Sequence, residues 1–280
     1  MDWREKLAAN EHLHLHQRNF VSASDHAELR TWLKTLHPLW EDRYAARVPM
    51  REGQTSRRLL RPVYWLGNWQ FACLEYYRPP EQVANRCMAA EPYPPVLARL
   101  VREIEVIAHR LYEGVDMPEG WTPNTCLINL YGQRLVNGRW VDSARVRAHK
   151  DFECGPVASV SLGERALFQF VENGYPGPPG AVLAEHWLEN GSLQIFGGSF
   201  WKSEILHSVT EVERKGGHRF EFPIEDFQTR RINFTFRFVP DAHVLPFAQF
   251  PPQQREDIRG YVQTLAQHSP TFAQALREAD

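Results

Sequence analysis

The chain has 280 residues, 43% of them hydrophobic, with nine Trp, nine Tyr and sixteen Phe, enough to bury one sizeable core and too apolar to be disordered. Charged residues make up 24% and nearly cancel to a formal net charge of -2, so no chain-wide basic excess holds long nucleic acid by phosphate contacts alone. No apolar stretch approaches the ~20 residues of a membrane span, the start lacks a signal-like apolar segment, and the four widely spaced cysteines suggest neither disulfides nor a zinc ribbon. A soluble, cytoplasmic protein without a membrane partner is expected.

Residues 1–20 read as an N-terminal tail dotted with charges and histidines, among them His12-Leu-His14-Leu-His16. That run would place three imidazoles along one strand face, and such tracts bind metal adventitiously, although no carboxylate is in register. After a cap expected at Ser24 or Asp25, Leu29, Trp32, Leu33 and Leu36 recur at helical spacing and predict an amphipathic helix ending near His37-Pro38. A second helix is predicted after Pro94-Pro95, with Leu97, Leu100, Val101, Ile104, Ala108 and Leu111 on one stripe.

From Thr125 the texture changes to short β-rich runs: 125–131, 145–149, 157–162, 166–171, 192–196, 204–209 and 231–239. Their spacing suggests a sandwich, barrel or jelly roll, and Asn137-Gly138 between Arg134–Val136 and Arg139–Val141 signals a two-residue hairpin. Beyond Pro240 the pattern turns helical again, with Ile258, Tyr261, Val262 and Leu265 on one face. The chain thus divides into a tail (1–20), a helical region packed on the core (21–120), a β core (121–240) and a C-terminal helical extension (241–280).

Three segments carry chemistry. His149-Lys150-Asp151 ends a predicted strand, where residues two apart share a face and place an imidazole and a carboxylate on one ion. His207, in a second β-rich run, supplies another imidazole, although its apolar neighbours suit a core histidine; His186 is an alternative third ligand, but the Glu189-Asn-Gly191 turn places it before the next strand. Two histidines and one carboxylate form the facial set that leaves positions open on ferrous iron. Third, the alternation in 231–238 puts Arg231, Asn233, Thr235 and Arg237 on one face and Ile232, Phe234, Phe236 and Phe238 on the other. The plain reading is a half-buried strand with its polar face in water. Against it, two guanidinium forks ~20 Å apart at their α-carbons leave room for a five-carbon diacid such as 2-oxoglutarate.

Asn129-Leu-Tyr131, His149-x-Asp151, 156–163, 191–198, His207-Ser-Val209 and Arg231-x-Asn233-x-x-x-Arg237, in that order, resemble the AlkB-like Fe(II)- and 2-oxoglutarate-dependent dioxygenases. The resemblance implies a mainly β fold with flanking helices, a double-stranded β-helix (jelly roll) holding Fe(II) by His149, Asp151 and His207, and using 2-oxoglutarate and O2. It further implies that Arg231 holds the distal carboxylate of 2-oxoglutarate with Asn129 and Tyr131 nearby, while Asn233 and Arg237 serve the end that chelates iron. The stretch 61–71 looks similar to the family's substrate-covering lid. Trp69 would stack on a target base and Glu153 would lie beside it. The implied activity is oxidative demethylation of alkylated nucleobases in single-stranded or flipped form. A protein or small-molecule hydroxylase, or a catalytically idle binding module, is the alternative. The chain departs from the family pattern in a longer run from Tyr131 to His149, in a stretched segment from His207 to Arg231 with an expected rim loop at Lys215–Arg219 and Glu221–Asp226, and in some forty residues after Arg237.

Overall fold

The computed structural model describes residues 2–44, 56–74, 76, 87–115, 117–213 and 219–279. Residues 215–218 of the expected rim loop lie outside them. Ten strands build the core: β1 (His14–Gln17), β2 (Val63–Leu66), β3 (Thr125–Val136), β4 (Val146–His149), β5 (Cys154–Gly163), β6 (Ala166–Glu172), β7 (Val182–Leu188), β8 (Leu193–Phe196), β9 (Ile205–Val212) and β10 (Phe227–Phe238). They form two antiparallel sheets, a major one in the order β1-β8-β5-β10-β3-β2 and a minor one in the order β7-β6-β9-β4. This is the expected jelly roll, and each of the seven β-rich runs is a strand.

The hairpin after β3 turns at Asn137 and Gly138, both with φ positive (49° and 75°), and leads into 139–142. The right-handed twist of paired strands requires such a turn, which Asn-Gly adopts at little cost. Three strands escape the sequence pattern: β1, β2 and β7. Residues 1–20, expected as a tail, instead form a helix, Trp3–Asn10, and then β1, because the backbone of His14–Gln17 pairs in register with Leu193–Phe196.

Helix α1 is Trp3–Asn10, and α2 (Ala23–Leu33) is capped by Ser22, whose hydroxyl accepts from Asp25 N at 3.1 Å, not by Ser24 or Asp25. Helix α3 (Pro95–Leu111) starts at the predicted prolines and buries the predicted stripe up to Ala108, with Leu111 partly buried. These elements cover the outer face of the major sheet: Trp32 stacks on Phe234 and Tyr93 meets Phe236 edge to face. As a result the polar face of β10, which would otherwise be the wet one, points into the roll and is buried. Helices α4 (Pro252–Ala266) and α5 (Pro270–Ala279) form the C-terminal extension, tied in by Ile258, Val262, Leu265 and Phe272. No described helix is long and apolar enough to cross a membrane.

Between α2 and the 61–71 stretch, Glu41 is fully buried and accepts hydrogen bonds from Trp69 Nε1 (2.6 Å) and Ala72 N (2.7 Å). Burial pushes its carboxyl up to about 7. The folded chain therefore holds this proton more tightly than the unfolded one. The associated stability is full below the ordinary carboxyl range and is lost as pH rises through the folded pKa. Glu41→Gln is expected to flatten the fall in melting temperature between about pH 5 and pH 8, a span worth about 3 kcal/mol. Thermal melts of both proteins across that range check it; parallel curves would count against it.

Candidate active site

His149 ends β4 and His207 lies mid-β9, and the two are cross-strand partners with ring centroids 4.3 Å apart. Asp151 follows two residues beyond the strand end, its Oδ2 3.4 Å from His207 Nε2. The ligand atoms of His149, Asp151 and His207 all lie within 4.8 Å of one another. His149 Nδ1 donates to the Arg147 carbonyl at 2.8 Å, which fixes the tautomer and turns Nε2 toward the site.

The protonation states suit metal ligation. Burial, and then the neighbouring His207, lower His149 to about 4, so its imidazole is neutral at neutral pH. Burial alone would raise Asp151, but the Arg237 guanidinium, with His207, outweighs it and holds the carboxyl well below its usual range. Arg237 reaches across from β10 to place Nη2 2.7 Å from Asp151 Oδ1 and Nε 3.5 Å from Glu153 Oε2. One ionised carboxylate and two imidazoles on adjacent positions form the facial donor set of a non-haem Fe(II) centre.

A cavity of about 1050 Å³ opens beside these ligands, lined from both sheets. Register places Arg231 opposite Tyr131 and Asn233 opposite Asn129 on its floor. Arg231 has no exposed surface. Its Nη2 donates to Ser161 Oγ and Asn233 Oδ1, both at 2.9 Å, and its guanidinium lies 4.7 Å from the Tyr131 ring centroid. Nε and Nη1 are buried with no hydrogen-bond partner among the described residues. A buried fork of unpaired N–H groups is what a ligand carboxylate would satisfy. The residues present therefore fit both iron and a keto-diacid.

Arg61, which the sequence places at the start of the lid-like stretch, reaches the same place, donating from Nε to Asn129 Oδ1 at 2.8 Å and lying 5.1 Å over Tyr131. Its proximity to Tyr131 across 70 positions of sequence has no local signal. Asn233, expected at the iron-chelating end, has its amide engaged elsewhere: Oδ1 accepts from Arg231, and Nδ2 donates to Thr235 Oγ1 at 2.9 Å. Glu153 lines the cavity and is buried beside Arg237.

Trp69 does not line the cavity. It is fully buried, its indole spent on Glu41 and its ring stacked on Phe71, so it is unable to stack on a base. Among the described residues, the aromatic rings that face solvent at the mouth are Phe152 and Tyr175, 51% and 87% exposed, neither singled out by sequence pattern. Arg43, Arg61, Arg147 and Lys150 line the same cavity. Arg58 and Arg134 lie instead over Trp40 in a separate cleft, and Lys202 is buried in the field of Asp151 and Glu153.

A jelly roll that sets two imidazoles and a carboxylate at one end of a cavity, and a buried unpaired guanidinium along its floor, defines an iron oxygenase that takes a keto-diacid as co-substrate. The same conclusion follows from comparison with known families, since residues 14–237 match the 2OG-Fe(II) oxygenase superfamily. The chain belongs to that superfamily and is a 2-oxoglutarate-dependent dioxygenase using Fe(II), 2-oxoglutarate and O2. No curated protein matches it. Among solved structures, OsALKBH1 is similar at 18% identity and TM-score 0.50, over 81% of this chain and 98% of that one. The Escherichia coli ribosomal oxygenase YcfD, in complex with cobalt and succinic acid, aligns at 10% identity and TM-score 0.35, over 99% of this chain and 69% of that one. At such identity the likeness to OsALKBH1 is one of fold.

Proposed function

We propose that this dioxygenase is AlkB-like and removes an alkyl group from a ring or exocyclic nitrogen of a nucleobase in single-stranded or flipped nucleic acid. The observation that carries the reading is the composition of the mouth. Phe152 and Tyr175 offer exposed rings, and Arg43, Arg147 and Lys150 supply positive charge on the same cavity wall. Among the described residues, the carboxylates that line the cavity, Asp151 and Glu153, lie inside it, one as an iron ligand and the other beside Arg237. Rings that stack on a base within a basic rim that meets phosphates are the usual means of holding a single strand.

In this reading Arg231 and Tyr131 orient the distal carboxylate of 2-oxoglutarate, and Arg237 holds Asp151 ionised and in place. Glu153 accepts an N–H from the base. Phe168 and Phe196, packed against His207, keep water from that side of the site. Fe(II), with 2-oxoglutarate and O2, supplies the oxidising power to convert a C–H bond to C–OH, releasing succinate and CO2. An N-hydroxymethyl group so formed collapses to the free N–H and formaldehyde.

Succinate and formaldehyde release should be measured with methylated single-stranded DNA, methylated RNA and methylated peptides. Stimulation by a nucleic acid, with a KM that rises with salt, is expected. Stimulation by peptide alone would replace this reading with protein hydroxylation. Arg43→Glu combined with Arg147→Glu should raise the KM for the polymer by about tenfold or more and leave that for 2-oxoglutarate unchanged, because both side chains are exposed at the rim.

A further inference from the structure

Outside the iron site, a second group of histidines converges across the opposite seam of the roll. His14 and His16, two apart on β1, share a face, and His186 approaches both from β7. β1 is the edge strand of the major sheet and β7 that of the minor sheet. The centroid of the His186 ring is 5.1 Å from that of His14 and 4.5 Å from that of His16, comparable to the 4.3 Å of the iron-binding pair. As in the active site, two candidate ligands stand at i and i+2 and a third comes from another strand, here one of the other sheet.

His12, which the sequence pattern adds to the row, lies instead in the turn before β1 and is exposed. His186 Nε2 bonds Gln194 Oε1 at 2.9 Å; an amide oxygen only accepts, so the proton sits on Nε2 and Nδ1 keeps its lone pair. The Nε2 atoms of His14 and His16 are buried with no partner among the described residues. Phe168, Phe170 and Trp201 pack around the group. Were packing the only requirement, apolar side chains would fill this space without stranding polar atoms. Burial also keeps the rings neutral, lowering His14 to about 3 and His16 to about 4. The charged groups acting on His16, Arg18 and Glu189, offset each other at 3.9 Å.

We propose that His14, His16 and His186 form a second, structural metal site that takes a nitrogen-preferring divalent ion of the zinc class. Three imidazoles without a carboxylate select zinc, nickel or copper over magnesium or calcium. Among the described residues only the iron triad has all its ligand atoms within 4.8 Å of one another, so the ion must draw these three rings inward by side-chain rotation. Its effect is to fasten the free edges of the two sheets to each other and raise the stability of the roll.

Zinc content should be measured after equilibration with zinc and gel filtration. Two equivalents per chain are expected for the wild type, and one for Asp151→Asn/His207→Gln, which disables the iron triad. Adding His186→Gln to that double variant should remove the remaining equivalent, and so should adding His16→Gln, at a half-buried edge position that tolerates substitution if His186→Gln fails to fold. Zinc should also raise the melting temperature of Asp151→Asn/His207→Gln by several degrees, and leave it unmoved once either histidine is replaced. If Asp151→Asn/His207→Gln holds no zinc, or holds it undiminished without His16 and His186, the proposal is overturned.

Discussion

His207→Gln or Asp151→Asn should reduce 2-oxoglutarate turnover to background, a loss of more than about 100-fold. Each removes one of the only three groups, among the described residues, whose ligand atoms cluster tightly enough to hold iron. The choice of substitution matters at Asp151. Its Oδ1 is 2.7 Å from Arg237 Nη2 in a pair with less than a tenth of either side chain exposed. Asp151→Ala would leave that guanidinium with Glu153 alone at 3.5 Å. Breaking a buried pair from one side costs about 3–5 kcal/mol, so an inactive Asp151→Ala protein would confound lost iron with lost fold. Asp151→Asn keeps an acceptor for Arg237 and withdraws only the charge that iron needs. His207 has no such pairing role beyond its contact with Asp151. Succinate release measured beside thermal melts separates the effects: activity is lost in all three variants, and the melting temperature falls most in Asp151→Ala. Succinate release at wild-type level in His207→Gln would remove the iron assignment.

The difference between what was legible in the sequence and what was not follows from the range of the interactions. The seven strands predicted from the sequence announce themselves as short β-prone runs between turn signals, and the iron ligands because they sit on or just beyond two of those strands in a fixed order. β7 is obscured because it is an edge strand with a mostly half-exposed pattern, so Glu185 and His186 interrupt any alternation. β1 is too short and too rich in histidine to read as a strand until β8 is placed beside it. The polar face of β10 reads as a wet surface until α2 and the residues leading into α3 are known to cover the other face. Trp69 is the clearest failure. Five aromatic residues within thirteen positions compete for the mouth, and what decides among them is Glu41, 28 residues earlier, which captures the Trp69 indole. Phe152 and Tyr175 carry no pattern at all, since exposed apolar residues in turns are ordinary in any surface. The site chemistry is local in sequence, whereas the rim is assembled by tertiary structure.

Arg231→Met should raise the KM for 2-oxoglutarate by about 100-fold or more, equivalent to about 3 kcal/mol, while the KM for the methylated polymer stays within about twofold. The asymmetry comes from where the charge sits. Arg231 is fully buried, and among the described residues no carboxylate pairs with it. Burial lowers its pKa, and Tyr131 beside it offsets that only in part. Its bonds go to neutral oxygens of Ser161 and Asn233, and Nε and Nη1 are unpartnered. A desolvated charge of this kind contributes little to folding, and an apolar side chain of similar length removes the burden at little cost. Arg231→Met is therefore expected to melt at or above the wild-type temperature, yet to gain no stability from added 2-oxoglutarate, which should stabilise the wild type by linkage. Arg231→Lys should fall between the two, since one ammonium supplies the charge but not the fork that meets both carboxylate oxygens. Anaerobic calorimetry with Fe(II) and 2-oxoglutarate, set beside melts with and without the keto-acid, distinguishes these cases. Equal losses of affinity for 2-oxoglutarate and polymer, or a variant that still binds 2-oxoglutarate as the wild type does, would show that the buried guanidinium serves the core and not the co-substrate.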